Sequence, residues 1–249
     1  MRVIELSNHP ADMLGDVSRQ RAAGPPGPRR RWWTWLRRIF TGGRDQRRAP
    51  GPAAGTADLE AKIRAGIEGE QHVAADLGRA LDDDWTLLRG YRNRRGEIDD
   101  LLLGPRGLFA IEVKNLNATV YVDGDRWRAD KYDNYGNLVE QHPIADRKGR
   151  SPSEQVNEPA DDLERFLGSR GQPVPVQRVV VLAHRRSRLG AVRRPTVLVG
   201  ASTGYLLALI RDPAQRPLGQ HQLMEIQRLI ARDHDFHNQR RRPARRPPR

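Results

Sequence analysis

The stretch Gly96-Glu97-Ile98-Asp99-Asp100-Leu101-Leu102-Leu103, then Gly104-Pro105-Arg106-Gly107, then Leu108-Phe109-Ala110-Ile111-Glu112-Val113-Lys114-Asn115, is two apolar runs joined by turn residues. That is the composition of a β-hairpin. With residues 104–107 as the loop, residues that face each other across the strands have numbers summing to 211, because 103 meets 108. Asp99 then faces Glu112, and Glu97 faces Lys114. Side chains alternate along a strand, so these four share one face while Ile98, Ile111 and Val113 point the other way. Directly opposed like charges destabilise a sheet. Two carboxylates about 5 Å apart repel by about 3 kcal/mol at an effective dielectric of about 20. Spacing alone therefore calls for a cation between Asp99 and Glu112. The plainer outcome for Glu97 opposite Lys114 is a cross-strand ion pair worth about 0–1 kcal/mol.

A second carboxylate source lies upstream. Ile63, Ile67, Glu70, Ala74, Leu77 and Leu81 recur at helical steps, with Asp58 as the expected N-cap. Glu70 stands in this stripe where an apolar residue belongs, whereas Glu68 falls off it. A carboxylate on a buried helix face is costly unless it is paired or holds a metal ion.

Around these pieces, Trp85–Leu88 and Thr119–Val122 read as strands, with Asp123-Gly124 a turn before Trp127. Residues 130–152 read as an irregular loop. Val156, Ala160, Leu163 and Leu167 give a second helix, which Pro159 must kink or begin. Residues 178–183 and 196–199 are strand-like, and helices follow near Tyr205–Ile210 and Gln220–Ala231. Helix, a run of strands, helix, two strands and helices imply an α/β domain with helices on both faces of a mixed sheet.

The ends differ in character. The chain has 249 residues, 37% hydrophobic content, no cysteine and a net charge of +13, with a mean hydropathy of −0.76. Disulfides and thiolate zinc sites are excluded. Residues 1–60 carry eleven Arg against six acids, and residues 240–249 carry six Arg and no acid, so +11 of the +13 sits at the two ends. Residues 1–57 read as a largely disordered basic arm, 58–235 as the domain, and 236–249 as a disordered Arg/Pro tail. Such arms suit a polyanion, DNA or an anionic membrane surface.

Within the first arm, residues 29–40 (Arg-Arg-Arg-Trp-Trp-Thr-Trp-Leu-Arg-Arg-Ile-Phe) form a Trp/Arg segment that is amphipathic as a helix. It suits an interfacial membrane contact, stacking on single-stranded bases, or docking on the domain itself. No apolar run is long enough to span a bilayer, and no secretory signal is evident. The expected location is cytoplasmic, with residues 29–40 as a peripheral contact at the inner membrane surface.

The motifs Gly66-Ile67-Glu68-Gly69-Glu70, Gly96-Glu97-Ile98-Asp99 and Gly107–Asn115, followed by Gln155 on the helix after the sheet, resemble the nuclease-related (NERD) domain family. That family lies within the PD-(D/E)xK, restriction-endonuclease-like superfamily, and the resemblance spans about residues 60–185. It implies a mixed β-sheet flanked by helices and a divalent ion, magnesium or manganese, with no small-molecule cofactor. Asp99 and Glu112 are the implied metal ligands, with the Val113 carbonyl and Glu70 completing the set. Lys114 is implied to position or activate the attacking water and to stabilise charge on the phosphate, and Gln155 to hold a phosphate or a side chain of the site. The implied activity is DNA phosphodiester cleavage; the alternatives are a nucleic-acid-binding module that keeps the fold without turnover, or a membrane-surface-associated protein anchored by the Trp/Arg segment 29–40. The family commonly has a histidine after the motif aspartate. Here that residue is Asp100, which hairpin parity turns away from Asp99, toward the second layer of the site or the surface.

Overall fold

The computed structural model describes residues 1–7, 52–146, 148–211 and 217–239. Its central element is a six-stranded mixed sheet in the order β1-β2-β3-β4-β8-β10. The strands are β1 (Arg2–Glu5), β2 (Thr86–Arg92), β3 (Glu97–Gly104), β4 (Gly107–Lys114), β8 (Val176–Leu182) and β10 (Leu198–Gly200). β3 pairs antiparallel with β2 and β4, while β1, β8 and β10 join as parallel strands.

Leu101-Leu102-Leu103 and Val179-Val180-Val181 are fully or almost fully buried as consecutive residues, because helices cover both faces and alternation gives way to continuous apolar runs. One face packs Leu88, Leu101, Leu103, Leu108 and Ala110 against α2 (Pro152–Ser169) and α4 (Gln220–Gln239). The other packs Leu87, Leu102, Phe109, Ile111 and Val113 against α1 (Pro52–Ala80) and α3 (Thr203–Ile210).

The expected hairpin forms in the expected register, with Leu103 opposite Leu108 and Asp100 opposite Ile111. Gly104 and Gly107 also pair, so the turn tightens to Pro105-Arg106. Gly104 is required: a Cβ there would lie 2.2 Å from the Trp85 ring. Ile98 departs from strict alternation and joins the cluster of Leu101 and Leu103 rather than that of Ile111 and Val113.

A second sheet, β7-β6-β5-β9, combines β5 (Thr119–Asp123), β6 (Arg126–Tyr132), β7 (Leu138–Pro143) and β9 (Arg188–Arg193). Its inner residues Val120, Val122 and Trp127 join the first core. The Trp127 indole also donates to Ser153 Oγ at 3.1 Å, fixing this sheet to the start of α2.

Several expectations need correction. Residues 130–152 are not all loop: β6 ends and β7 lies within them. β9 was not expected, and α4 extends to Gln239 rather than ending near Ala231. The stretch read as a disordered arm, 1–57, contains β1, and α1 starts at Pro52 rather than after an N-cap at Asp58. The buried line of α1 includes Val73, absent from the expected stripe. The Trp/Arg segment 29–40 and the tail from 240 lie outside the described residues. Among the described residues, no helix is long and apolar enough to cross a membrane.

Candidate active site

The hairpin's open end, the first turns of α2 and the middle of α1 bring the five expected side chains into one region. The β3–β4 ladder is paired as far as Asp100 and Ile111; Asp99 and Glu112 are the next residues beyond that end on the two strands. The Val113 amide donates to Asp99 Oδ2 at 2.8 Å, which locks the aspartate to β4. Lys114 Nζ donates to Glu112 Oε1 at 2.5 Å and to Gln155 Oε1 at 3.1 Å. Gln155 Nε2 in turn donates to the Arg150 carbonyl at 2.9 Å.

Local chemistry fixes Gln155. Ser151 and Glu154 form a reciprocal capping box with Pro152 at the first position of α2, so the first turn is set. Pro159 neither starts nor ends the helix: α2 runs through it to Ser169, and its carbonyl accepts from Asn93 Nδ2 at 2.9 Å.

Glu70 approaches from α1, but its hydrogen-bond partner is Arg89 on β2, at 3.3 Å. Arg89 also reaches Asp100 Oδ1 at 3.2 Å and Glu5 Oε1 at 2.9 Å. Sequence reasoning missed this arginine. Its signal was available: a lone cation among Leu87, Leu88 and Tyr91, directly opposite Asp100.

Asp100 itself does not lie at the surface. It is fully buried, and its Oδ2 has no hydrogen-bond partner. The expected Glu97–Lys114 pair does not form either. Glu97 binds Arg92, its partner on β2, while Lys114 turns to Glu112 and Gln155.

The electrostatics follow from crowding acids in a dry place. Burial raises the Glu70 carboxyl to about 7, with Asp100 adding to the rise, Arg89 opposing it, and Glu112 and Glu97 contributing further. Burial likewise pushes Asp99 well above the usual carboxylate range, and the charges of Glu112 and Glu70 push it further. Burial raises Asp100 to about 7 against the pull of Arg89. For Lys114, burial pulls the ammonium pKa down but Glu112 and Asp99 outweigh it, so the net direction is up. Strongly perturbed acids beside a lysine mark a functional-site candidate.

The donor set suits a hard divalent cation, since it consists of carboxylates whose mutual repulsion a cation relieves. Among the described residues, however, no group of three acidic or histidine side chains is closed around a single point. Glu112 and Glu70 are engaged by Lys114 and Arg89 instead.

A mixed α/β sheet carrying Asp99 and Glu112-Val113-Lys114 on its central hairpin, beside a helix glutamate, belongs to the nuclease-related class of domains. The family model described as the nuclease-related domain (NERD) matches residues 65–183, and over that span the chain belongs to this family. The matched residues run from the first motif on α1 through the hairpin and α2 to the residue after β8. Comparison with curated proteins and with solved structures gave no match.

Proposed function

We propose that this domain is a metal-dependent nuclease that hydrolyses phosphodiester bonds of DNA. The observation that carries the reading is the chain of contacts Gln155–Lys114–Glu112, set beside Asp99 at the open end of the hairpin. Asp99 and Glu112 would hold magnesium or manganese, with the Val113 carbonyl and Glu70 completing the set. When bound, such an ion polarises a phosphoryl oxygen and acidifies a bound water.

The chain's own residues do the rest. Lys114, kept protonated by Glu112 and Asp99, is a compact cation for the charge that develops on the phosphate. Gln155 keeps that ammonium in place from α2. Arg89 holds Glu70 against the sheet. Incubation of supercoiled plasmid DNA with the full chain in magnesium tests this. Asp99→Ala and Lys114→Ala are each expected to lose about 10²-fold or more in rate, the scale of removing a positioned electrostatic group. Equal activity in all three proteins, or none with any divalent metal, would sink the catalytic reading.

One observation favours a second reading, a nucleic-acid-binding module without turnover. The acids are engaged by Lys114 and Arg89 rather than gathered around one point. That reading predicts DNA binding that persists in Asp99→Ala with no cleavage by either protein.

A further inference from the structure

A dense run of positive charge lies in β9 and the loop that leads into it. Residues 185–194 contain five arginines and no acid. Ladder partners share a face. Val120 and Val122 of β5 point into the core, so Thr119, Tyr121 and Asp123 point outward. Their partners do the same: Arg188 beside Thr119, Arg128 beside Tyr121, and both Arg126 and Arg193 beside Asp123.

Arg188 and Arg193, five positions apart, would face opposite ways on a regular strand. The irregularity between Val120 and Val122, opposite Leu189 and Val192, adds one residue to β9 and returns both arginines to the outer face. The Tyr121 ring lies against Gly190, where a Cβ would sit 2.5 Å from it, and the Arg128 guanidinium stacks over that ring at 4.5 Å.

Arg126, Arg185, Arg186, Arg188 and Arg193 are exposed. None of these five forms an ion pair with an acidic side chain of the described residues, whereas Arg128 is paired with Asp130 and Arg194 with Asp123. A groove of about 830 Å³ opens beside this face, with Arg126, Arg128 and Arg193 in its wall.

This face is physically continuous with the candidate active site. β8 ends at Leu182 opposite Lys114. The Ala183 amide donates to the Lys114 carbonyl at 3.0 Å, Ser187 Oγ to the Leu116 carbonyl, and the Arg188 amide to the Ala118 carbonyl at 3.1 Å. The basic loop therefore runs alongside the segment leaving Lys114. Thr119, the partner of Arg188, lies five positions after Lys114, at most about 18 Å of chain. With one phosphate per about 3.4 Å of strand, that distance spans about five phosphates.

We infer that the outer face of the second sheet, with residues 185–188, is a track for the phosphate backbone of a nucleic-acid strand leading into the Asp99–Glu112–Lys114 centre. The inference rests on the reading of that centre as a phosphodiester-cleaving site. Unpaired guanidinium groups in a row repel one another, and a polyanion is the partner that relieves this. Their place on a strand and loop hydrogen-bonded to the segment that leaves Lys114 favours a nucleic acid over a flat lipid surface.

The test uses the full chain and a combined variant, Arg185→Ala, Arg186→Ala, Arg188→Ala and Arg193→Ala. Binding of a short fluorescent single-stranded oligonucleotide is followed by anisotropy across a salt series in EDTA, so that cleavage plays no part. The variant should bind at least tenfold more weakly at low salt. Its slope of log K against log salt should be shallower by about 0.7 per lost contact. An affinity and a slope equal to those of the unaltered chain, with an unchanged melting temperature, overturn the inference. So does a loss confined to phosphatidylserine vesicles, with oligonucleotide binding unchanged. If the unaltered chain cuts nothing in magnesium but the variant still loses oligonucleotide binding, the cleavage reading falls and the track stands. If the unaltered chain cuts DNA and the variant binds and cuts equally well, the track falls and the cleavage reading stands.

Discussion

Lys114 is held at two points, and the two partners do different work. Glu112 supplies the charge that keeps the ammonium protonated, while Gln155 supplies direction from α2. Gln155→Leu should therefore lower the cleavage rate about tenfold while costing about 1 kcal/mol of stability, the net worth of a hydrogen bond. Parallel kcat and urea-unfolding measurements separate the two effects. Arg89 is the residue on which the opposite side of the site depends, since among the described residues it is the cation that bridges Glu5, Glu70 and Asp100. Arg89→Met leaves those carboxylates without their cation and should cost about 3 kcal/mol, read as a lower urea midpoint at neutral pH. Hairpin parity singled out Asp99 and Glu112 as candidates, but it paired Lys114 with Glu97, whereas Lys114 turns along its own strand to Glu112. Arg89 was not legible, because its importance comes from three partners brought together from β1, α1 and β3, far apart in sequence.

At the scale of elements, legibility followed burial. β3 and β4 announce themselves because both of their faces are covered, leaving runs such as Leu101-Leu102-Leu103 with almost no exposure. α1 and α2 show a helical stripe because each buries one face. β7 is exposed along nearly all of its length, and β9 is a short Leu-Gly-Ala-Val run between two arginines with no fully buried residue, so neither has an apolar period to read. β1 is four residues long and becomes a strand only by pairing with β2, more than eighty positions away. The hairpin turn gives the sharpest element-level prediction. Gly104→Ala would drive a methyl group into Trp85, and over-packing of this kind costs about 1–3 kcal/mol. A thermal melt that left the transition unchanged would contradict the tight turn.

For the molecule as a whole, the buried acids tie stability to pH. Glu70 and Asp100 both titrate at about 7 in the folded chain, against ordinary values of 4.5 and 3.8. The folded state thus keeps protons that the unfolded chain has released, and stability falls as pH rises. The loss accumulates from the ordinary carboxylate range up to about 7 and is complete above it. His234, lowered by burial, acts in the opposite direction, but one group stands against two and Asp99 adds to the acids. Melting temperature without divalent ions should fall across this window, and magnesium should flatten the fall by pairing with the charged acids. The central claim is that the end of the β3–β4 hairpin is a divalent-ion centre, and it can be tested without choosing a substrate. Titration of manganese into the full chain, followed by electron paramagnetic resonance, counts bound ion directly. The account predicts saturable binding that is lost in Asp99→Asn and in Glu112→Gln while both variants melt as cooperatively as the unaltered chain. Binding that survives both substitutions, or no binding by the unaltered chain, would contradict it.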